Sequence, residues 1–180
     1  MVDCHWRLDT ATAKALIPHL RELGVSWFEC PIEETAAQMS NLVTLRQAAN
    51  GAGMQLAGCE TMTRWEMFAP FVEGGAYDVI MPDIKYLGGY HELQRIVERC
   101  SSLGVQVSLH NPSGPIAHAA SVHATAAFSL EGRLEFQFAE SDLFETSVGG
   151  EFPAVRSGLC PVPATSGIGI HPNPAFLVPG

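Results

Sequence analysis

The chain has 180 residues, of which 47% are hydrophobic and 16% are charged, so a single globular domain with a sizeable core is expected. The net charge is −9 at pH 7 and the pI is about 5.1, and an acidic chain without a basic patch is not expected to bind nucleic acid. The five cysteines include no Cys-x-x-Cys pair, which argues against a disulfide framework or a zinc ribbon.

No basic and then apolar leader opens the chain, and no apolar run approaches the roughly 18 residues of a membrane span. We therefore expect a soluble, cytoplasmic protein without a membrane partner.

Short apolar segments alternate with longer segments of helical period, which indicates consecutive βα units. The predicted strands cover residues 2–6, 26–30, 55–59, 77–81, 105–110 and 134–138. The predicted helices cover residues 11–23, 36–49, 64–71, a segment that follows Gly88-Gly89 and runs through Cys100, and 116–128. Thr10 or Thr12 would cap the first helix.

Polar residues stand at or near the ends of the predicted strands, 23 to 31 residues apart. They are Asp3, Glu29, Glu60, Asp83, His110 and Glu135. One strand, one helix and two short loops take about 25 to 30 residues, and α/β barrels place their chemistry where successive parallel strands end. The sequence therefore predicts an α/β fold, a partial TIM-type (β/α) barrel of about six βα units. An open doubly wound sheet is the alternative, although its crevice uses fewer strand ends.

Six units are fewer than the roughly eight that close a barrel, and the first polar strand end comes after only two residues. We therefore expect a fragment, a truncated product or one part of a complex. Residues 1–140 would form the partial catalytic barrel. Residues 141–180 are rich in glycine and proline and would form an irregular C-terminal tail packed on it.

Three of the strand-end residues, Asp3, Glu29 and Glu60, are carboxylates on adjacent predicted strands. Carboxylates brought to one mouth repel each other unless a cation lies among them. An all-oxygen ligand set with open positions favours Mg²⁺. The sequence therefore predicts a magnesium site formed by these three residues.

Two histidines are candidates for proton transfer. His110 follows Asp83 by one predicted strand, and a neighbouring carboxylate would orient its imidazole and raise its basicity. His5 should point the same way as Asp3, because strand side chains alternate. The other histidines lie on predicted helices or in the tail and are expected to be non-catalytic: His19, His91, His118, His123 and His171. The same alternation predicts that Cys4, Cys30 and Cys59 face the helices as small apolar fillers.

Several motifs, in order and spacing, resemble the catalytic barrel of the enolase superfamily, and most closely its mandelate racemase and muconate lactonizing enzyme type. They are VDCHW, FECP, GCET, MPDIKYLGG, SLHNPSGPIAHAA and ATSGIGIHPN. The resemblance implies that Asp3, Glu29 and Glu60 bind Mg²⁺ and that His110, paired with Asp83, abstracts the proton α to a carboxylate. It also implies that Glu135 hydrogen-bonds the substrate or intermediate, with Glu140 as the less favoured candidate.

A histidine two residues after the first metal ligand, as in DCHWR, resembles the acid-sugar dehydratases of this group. There it acts as the general acid on the leaving hydroxyl, so the resemblance implies a lyase that eliminates water from a sugar acid. A racemase or epimerase of the same superfamily, a sugar-acid-binding protein without turnover, and a non-catalytic remnant or assembly module remain alternatives.

The chain departs from the resemblance in four respects. It lacks an N-terminal capping domain and the first barrel strands, with their Lys-x-Lys motif. Cys30 stands where a second glutamate is common, and His171 stands where an acidic residue is usual. We therefore expect either a homo-oligomer or a missing N-terminal segment, and the fragment alone to have uncertain activity.

Overall fold

The computed structural model describes residues 1–128, 130, 133–137 and 141–177. Parallel strands alternate with helices through the first part of the chain, in the βα order that the sequence predicts. The elements are β1 Val2–Asp3, α1 Thr10–Glu22, β2 Trp27–Glu29, α2 Met39–Gly51, β3 Gln55–Gly58, α3 Trp65–Glu73, β4 Val79–Ile80, α4 Tyr90–Ser102, β5 Gln106–Val107 and α5 Pro115–Ala127.

The five strands form one sheet in the order β1-β2-β3-β4-β5, and every pair is parallel. Each strand pairs with its neighbour in the chain, as in a barrel rather than a doubly wound sheet. The register pairs Asp3 with Glu29 and Glu29 with Ala57, so the predicted ligands on β1 and β2 lie side by side. The prediction of a partial barrel is confirmed.

The sheet has a different set of neighbours on each face. Alternate residues such as Phe28, Leu56 and Ile80 face outward and join a large core with the helices. Residues of the opposite parity form a small separate cluster on the inner face: Trp27, Ala57, Val79 and Met81. Glu29 has the same parity as Trp27, so the inner face carries apolar residues below and a carboxylate at its carboxyl end.

Turns with left-handed backbone close the first three strands. The φ angles are 47° at His5, 59° at Trp6, 41° at Cys30 and 74° at Cys59. Residues other than glycine seldom adopt this region, and where they do the surrounding structure must hold them there. The turns end the strands earlier than predicted and redirect the side chains of the next residues.

The predicted strand at 134–138 is wrong for its described part, because residues 133–137 contain no strand; Phe138 lies outside the described residues, as does Glu140. The predicted cap of α1 is also wrong. Asp9 is the cap, because its carboxylate accepts a hydrogen bond from the Thr12 N–H at 2.7 Å, which also lowers its pKa. The second helix begins with a 3₁₀ turn at Ala36–Gln38 before α2.

The tail contains short regular elements that the sequence did not predict. They are α6 Leu143–Thr146, an antiparallel pair of strands β6 Val148–Gly150 and β7 Ile170–Pro172, and a 3₁₀ turn at Pro174–Phe176. Strand β7 contacts α5, so this hairpin lies against the last barrel helix. The division of the chain at residue 140 stays a prediction. Among the helices described, none is long and apolar enough to span a bilayer.

Candidate functional site

Three predicted metal ligands come together at the carboxyl ends of β1, β2 and β3. Ligand atoms of Asp3, Glu29, Glu60 and Cys30 all lie within 4.8 Å of one another. Glu29 and Glu60 are each only 2% exposed, whereas Asp3 is exposed at the rim. Asp3 also accepts a hydrogen bond from the His5 backbone N–H at 2.8 Å.

The position of Glu29 in this cluster raises the pKa of its carboxyl group. Burial, reinforced by the charges of Asp3, Glu135 and Glu60, raises its pKa to about 7, although a hydrogen bond from Trp27 Nε1 at 2.8 Å opposes the rise. Among the residues that the structure describes, no ion pair gives the buried Glu29 a compensating positive charge. The cluster therefore has the composition and the unmet charge that suit a hard divalent cation.

Cys30 does not have the position predicted for it. Its Sγ lies 3.5 Å from Glu60 Oε2 and 3.9 Å from Glu34 Oε1, so the thiol faces the carboxylates. The left-handed backbone at Cys30 breaks the alternation on which the prediction rested. Burial and the nearby acids raise its pKa far above the ordinary value, so it is a thiol donor here. Cys59 and Cys4 do pack in or against the helical core, as predicted.

His5 reaches the site from the turn after β1, not from the strand itself. Its Nδ1 lies 3.3 Å from Glu60 Oε1, and its side chain is 54% exposed. Its ring lies 4.4 Å, centre to centre, from that of Trp6. The contact of His5 with Asp3 is made by its backbone N–H, and the left-handed backbone at His5 breaks the strand alternation on which the predicted side-chain direction rested.

Asp83 and His110 follow β4 and β5 and form a pair. His110 Nδ1 lies 3.0 Å from Asp83 Oδ2, and its Nε2 lies 3.8 Å from Glu60 Oε2. Burial by itself would lower the pKa of His110, but the hydrogen bond with Asp83 and the charges of Glu60 and Glu135 outweigh it and raise the pKa. Donation from Nδ1 to Asp83 leaves Nε2 as the basic nitrogen directed toward the carboxylate cluster.

Asp83 is itself held in a fixed orientation. It is 1% exposed, and its Oδ1 accepts a hydrogen bond from the Lys85 backbone N–H at 2.8 Å. The Lys85 ammonium lies 3.8 Å from Asp83 Oδ2 and also contacts the Ser113 hydroxyl. These contacts fix the carboxylate of Asp83 so that its Oδ2 faces the imidazole of His110.

Glu135 is attached to the residue that follows His110. The Asn111 backbone N–H donates to Glu135 Oε2 at 2.7 Å, and Asn111 Nδ2 donates to the Glu135 carbonyl at 2.7 Å. All six predicted strand-end residues and His5 therefore belong to one connected region. The exception among the predicted candidates is Glu140, which lies outside the described residues.

Sequence reasoning missed several residues that support this region. Trp27 is the donor to Glu29, and it stands two residues before it, so strand alternation could have identified it. Glu34 is a partly buried carboxylate that accepts hydrogen bonds from the Cys59 N–H at 2.6 Å and the Tyr77 hydroxyl at 2.9 Å. Burial raises its pKa. No local signal in the sequence marks Glu34, because its partners come from two later elements.

Comparison with known proteins shows the family and the fold of the chain. The family model described as enolase C-terminal domain-like matches residues 1–176. Among solved structures, a member of the enolase superfamily from Salmonella Typhimurium superposes with a TM-score of 0.85 at 24% identity, over 97% of this chain and 44% of that one. The 3,6-anhydro-D-galactonate cycloisomerase of Zobellia galactanivorans gives 0.84 at 23% identity, over 96% of this chain and 47% of that one.

The curated relatives include sugar-acid dehydratases. D-xylonate dehydratase of Haloferax volcanii is 28% identical over 168 residues, which are 93% of this chain and 39% of the relative. D-galactonate dehydratase of Klebsiella pneumoniae is 31% identical over 122 residues, 68% of this chain and 31% of the relative. The chain thus spans less than half the length of these relatives. The predicted resemblance is confirmed, and because the family match extends over nearly the whole sequence, the chain belongs to the enolase C-terminal domain-like family.

Proposed function

We propose that this chain carries the catalytic site of a Mg²⁺-dependent lyase that removes the proton α to the carboxylate of a sugar acid and eliminates water. The observation that carries the proposal is the part-buried Asp83–His110 pair beside three converging carboxylates. The dehydratase names of the curated relatives support the choice of reaction.

The three carboxylates Asp3, Glu29 and Glu60 would hold the cation. Their oxygen atoms are the donor type that Mg²⁺ prefers, and burial beside other carboxylates raises the pKa of Glu29, a rise that a bound cation would offset. When bound, Mg²⁺ would supply electrostatic stabilisation of the negative charge that develops on the substrate carboxylate.

The histidines would carry the protons. His110 would accept the α-proton on Nε2, and Asp83 would stabilise the imidazolium through Nδ1. His5, which faces the other oxygen of Glu60, would donate a proton to the departing β-hydroxyl. The C–H and C–O bonds then break, water leaves, and the resulting enol becomes a 2-keto-3-deoxy acid. Glu135, held by Asn111, would accept a hydrogen bond from the substrate.

A racemase or epimerase uses the same α-proton removal but returns the proton to carbon and keeps the β-hydroxyl. His5 is the residue that would distinguish the two reactions, because only the dehydratase needs an acid at the leaving oxygen. Its reach to Glu60 from the exposed rim favours the dehydratase.

Cation binding is tested first, by thermal unfolding of the 180-residue chain with increasing Mg²⁺. We expect a saturable rise in Tm for the wild type, as ligand linkage requires, and little or none for Glu60→Gln. Equal responses of the two proteins would mean that the carboxylate site is not formed, and the proposal would then fail for this chain.

The reaction is tested with D-xylonate, D-galactonate and arabinonate in D₂O with Mg²⁺, following α-deuteration and 2-keto-3-deoxy acid. His110→Asn should abolish both, His5→Asn should abolish elimination and retain exchange, and His91→Asn, on the exposed side of α4, should change neither. Exchange without elimination in the wild type would establish the racemase alternative. A Tm response to Mg²⁺ with no exchange would indicate binding without turnover.

A further inference from the structure

His118 is a buried histidine that the proposed reaction does not use. It lies on α5 and is 1% exposed. The rings of Phe136, Phe144 and Phe152 surround it, with centroids 5.0 to 6.2 Å from its own. Two of these rings come from the tail, so His118 lies where the tail meets the barrel.

Hydrogen bonds define the state of its imidazole. Nε2 lies 3.0 Å from the Pro153 carbonyl, which can only accept, so Nε2 carries the proton. Nδ1 lies 3.0 Å from Asn111 Nδ2, which can only donate, so Nδ1 is the acceptor. Burial lowers the pKa of His118, which agrees with a neutral ring. The Cys160 thiol donates to the same Pro153 carbonyl at 3.0 Å.

The Asn111 amide has both of its N–H bonds engaged. One goes to His118 Nδ1 and the other to the Glu135 carbonyl at 2.7 Å. The Asn111 backbone N–H holds Glu135 Oε2, and the preceding residue is His110. Asn111 is 2% exposed, so the loss of a partner leaves a buried N–H unpaired and favours opening of this region to solvent. Rotation of this amide would turn its oxygen against the Glu135 carbonyl.

We propose that His118 is a positioning residue, whose Nδ1 holds the Asn111 amide in the one orientation that keeps Glu135 and the backbone after His110 in place. The tail segment around Pro153 thereby contacts the site through the imidazole of His118. The proposal rests on the proposed function in so far as Glu135 and His110 take part in the reaction. The hydrogen-bond relay, which runs from the Pro153 carbonyl through His118 and Asn111 to Glu135, does not depend on that function.

Two substitutions of His118 test the hydrogen bonds of its two ring nitrogens one at a time. In His118→Asn, the amide oxygen can occupy the place of Nδ1 and accept from Asn111, while the bond to Pro153 is lost. In His118→Gln, the longer amide can reach the place of Nε2 and donate to Pro153, while the acceptor for Asn111 is lost. Both variants give up one hydrogen bond, so a purely structural role would affect them alike.

The first measurement is the NMR signal of the Asn111 side-chain amide in the 180-residue chain. We expect slow hydrogen exchange of this amide in the wild type and in His118→Asn, and fast exchange in His118→Gln. Equal protection in the two variants would overturn the proposal. If either variant fails to fold, the NMR chemical shifts of the two ring nitrogens of His118 in the wild type replace this test. They report which nitrogen carries the proton, and a proton on Nδ1 would overturn the proposal.

The second measurement is α-proton exchange on the sugar acid that the wild type accepts. Displacement of groups around a reacting centre costs up to about 100-fold, so we expect a loss of about 10- to 100-fold for His118→Gln and a near-wild-type rate for His118→Asn. Equal rates in the two variants would overturn the positioning of the site. If the wild type turns over no sugar acid while the contrast in amide protection holds, the proposed function fails and the relay stands.

Discussion

Replacement of Glu29 by glutamine tests the charge imbalance of the carboxylate cluster directly. In the protein without a cation, the pKa of Glu29 is raised from 4.5 to about 7, first by burial and then by its acidic neighbours. Between these two values the unfolded chain has lost the proton while the folded chain still holds it. The free energy of unfolding therefore falls as the pH rises through this window, and it stops falling above about pH 7.

The magnitude follows from the two pKa values. A difference of about 2.5 in pKa corresponds to about 3 kcal/mol, at about 1.4 kcal/mol for each pH unit. The glutamine of Glu29→Gln cannot ionise and keeps an acceptor for Trp27 Nε1. The free energy of unfolding of this variant should therefore not fall with pH on account of residue 29. Relative to the wild type, the variant should gain about 1.4 kcal/mol at pH 5.5 and about 3 kcal/mol above pH 7.

The assay is urea unfolding of both proteins in EDTA across this pH range, with the difference between them as the observable, since the other titrating groups largely cancel. Saturating Mg²⁺ should reverse the order at pH 7.5, because only the wild type offers the third carboxylate. A difference that does not change with pH would refute the reasoning, since it would mean that Glu29 ionises equally easily in both states.

Three further substitutions test the support of the site. Trp27→Phe removes the hydrogen bond to Glu29, which stabilises the ionised carboxylate by about 1.5 to 3 kcal/mol. Calorimetry at pH 7 should therefore show Mg²⁺ binding weakened by about tenfold or more. Trp65→Phe, in the helical core, is the control and should leave Mg²⁺ binding unchanged. Asp83→Asn removes the principal cause of the raised pKa of His110, so NMR titration should show a lower pKa; an unchanged value would argue against the pair. Tyr77→Phe removes one of the donors to Glu34, which keeps the Cys59 N–H, and should lower the free energy of unfolding by about 1 to 3 kcal/mol; Tyr86→Phe at an exposed position serves as the neutral control.

The order of the strands and the identity of their terminal residues could be predicted from the sequence because they depend on local patterns. Pro31 and Pro82 end apolar runs, and the spacing between polar residues matches one βα unit. Parallel pairing of chain neighbours then places Asp3 beside Glu29. No side-chain detail is needed for that step.

The orientations after each strand could not be predicted in the same way. Cys30 and Cys59 both come directly after a strand and both have positive φ, yet the first thiol faces the carboxylates and the second lies in the helical core. Alternation applies only while the backbone stays extended. A left-handed residue rotates the next part of the chain by an amount that depends on tertiary contacts.

The structure of the tail and the contacts of His118 could not be predicted from the sequence either. Strands β6 and β7 pair across a long segment rich in glycine and proline, whose sequence has no period. The sequence predicts only that His118 is a non-catalytic residue of a helix, whereas its hydrogen bonds depend on Pro153 and Asn111, which contact opposite sides of its ring. Such contacts exist only once the chain is folded.

The order of the sheet gives the three carboxylates unequal resistance to local unfolding. Glu29 and the turn bearing Glu60 belong to β2 and β3, each of which has a neighbour on both sides, whereas β1 pairs only with β2 within the described part of the sheet and ends in the exposed Asp3. Fluctuations that detach β1 would carry Asp3 away while the other two carboxylates stay in place. A cation bound by all three carboxylates would therefore oppose the detachment of β1. It should slow hydrogen exchange mainly at the amides that join β1 to β2.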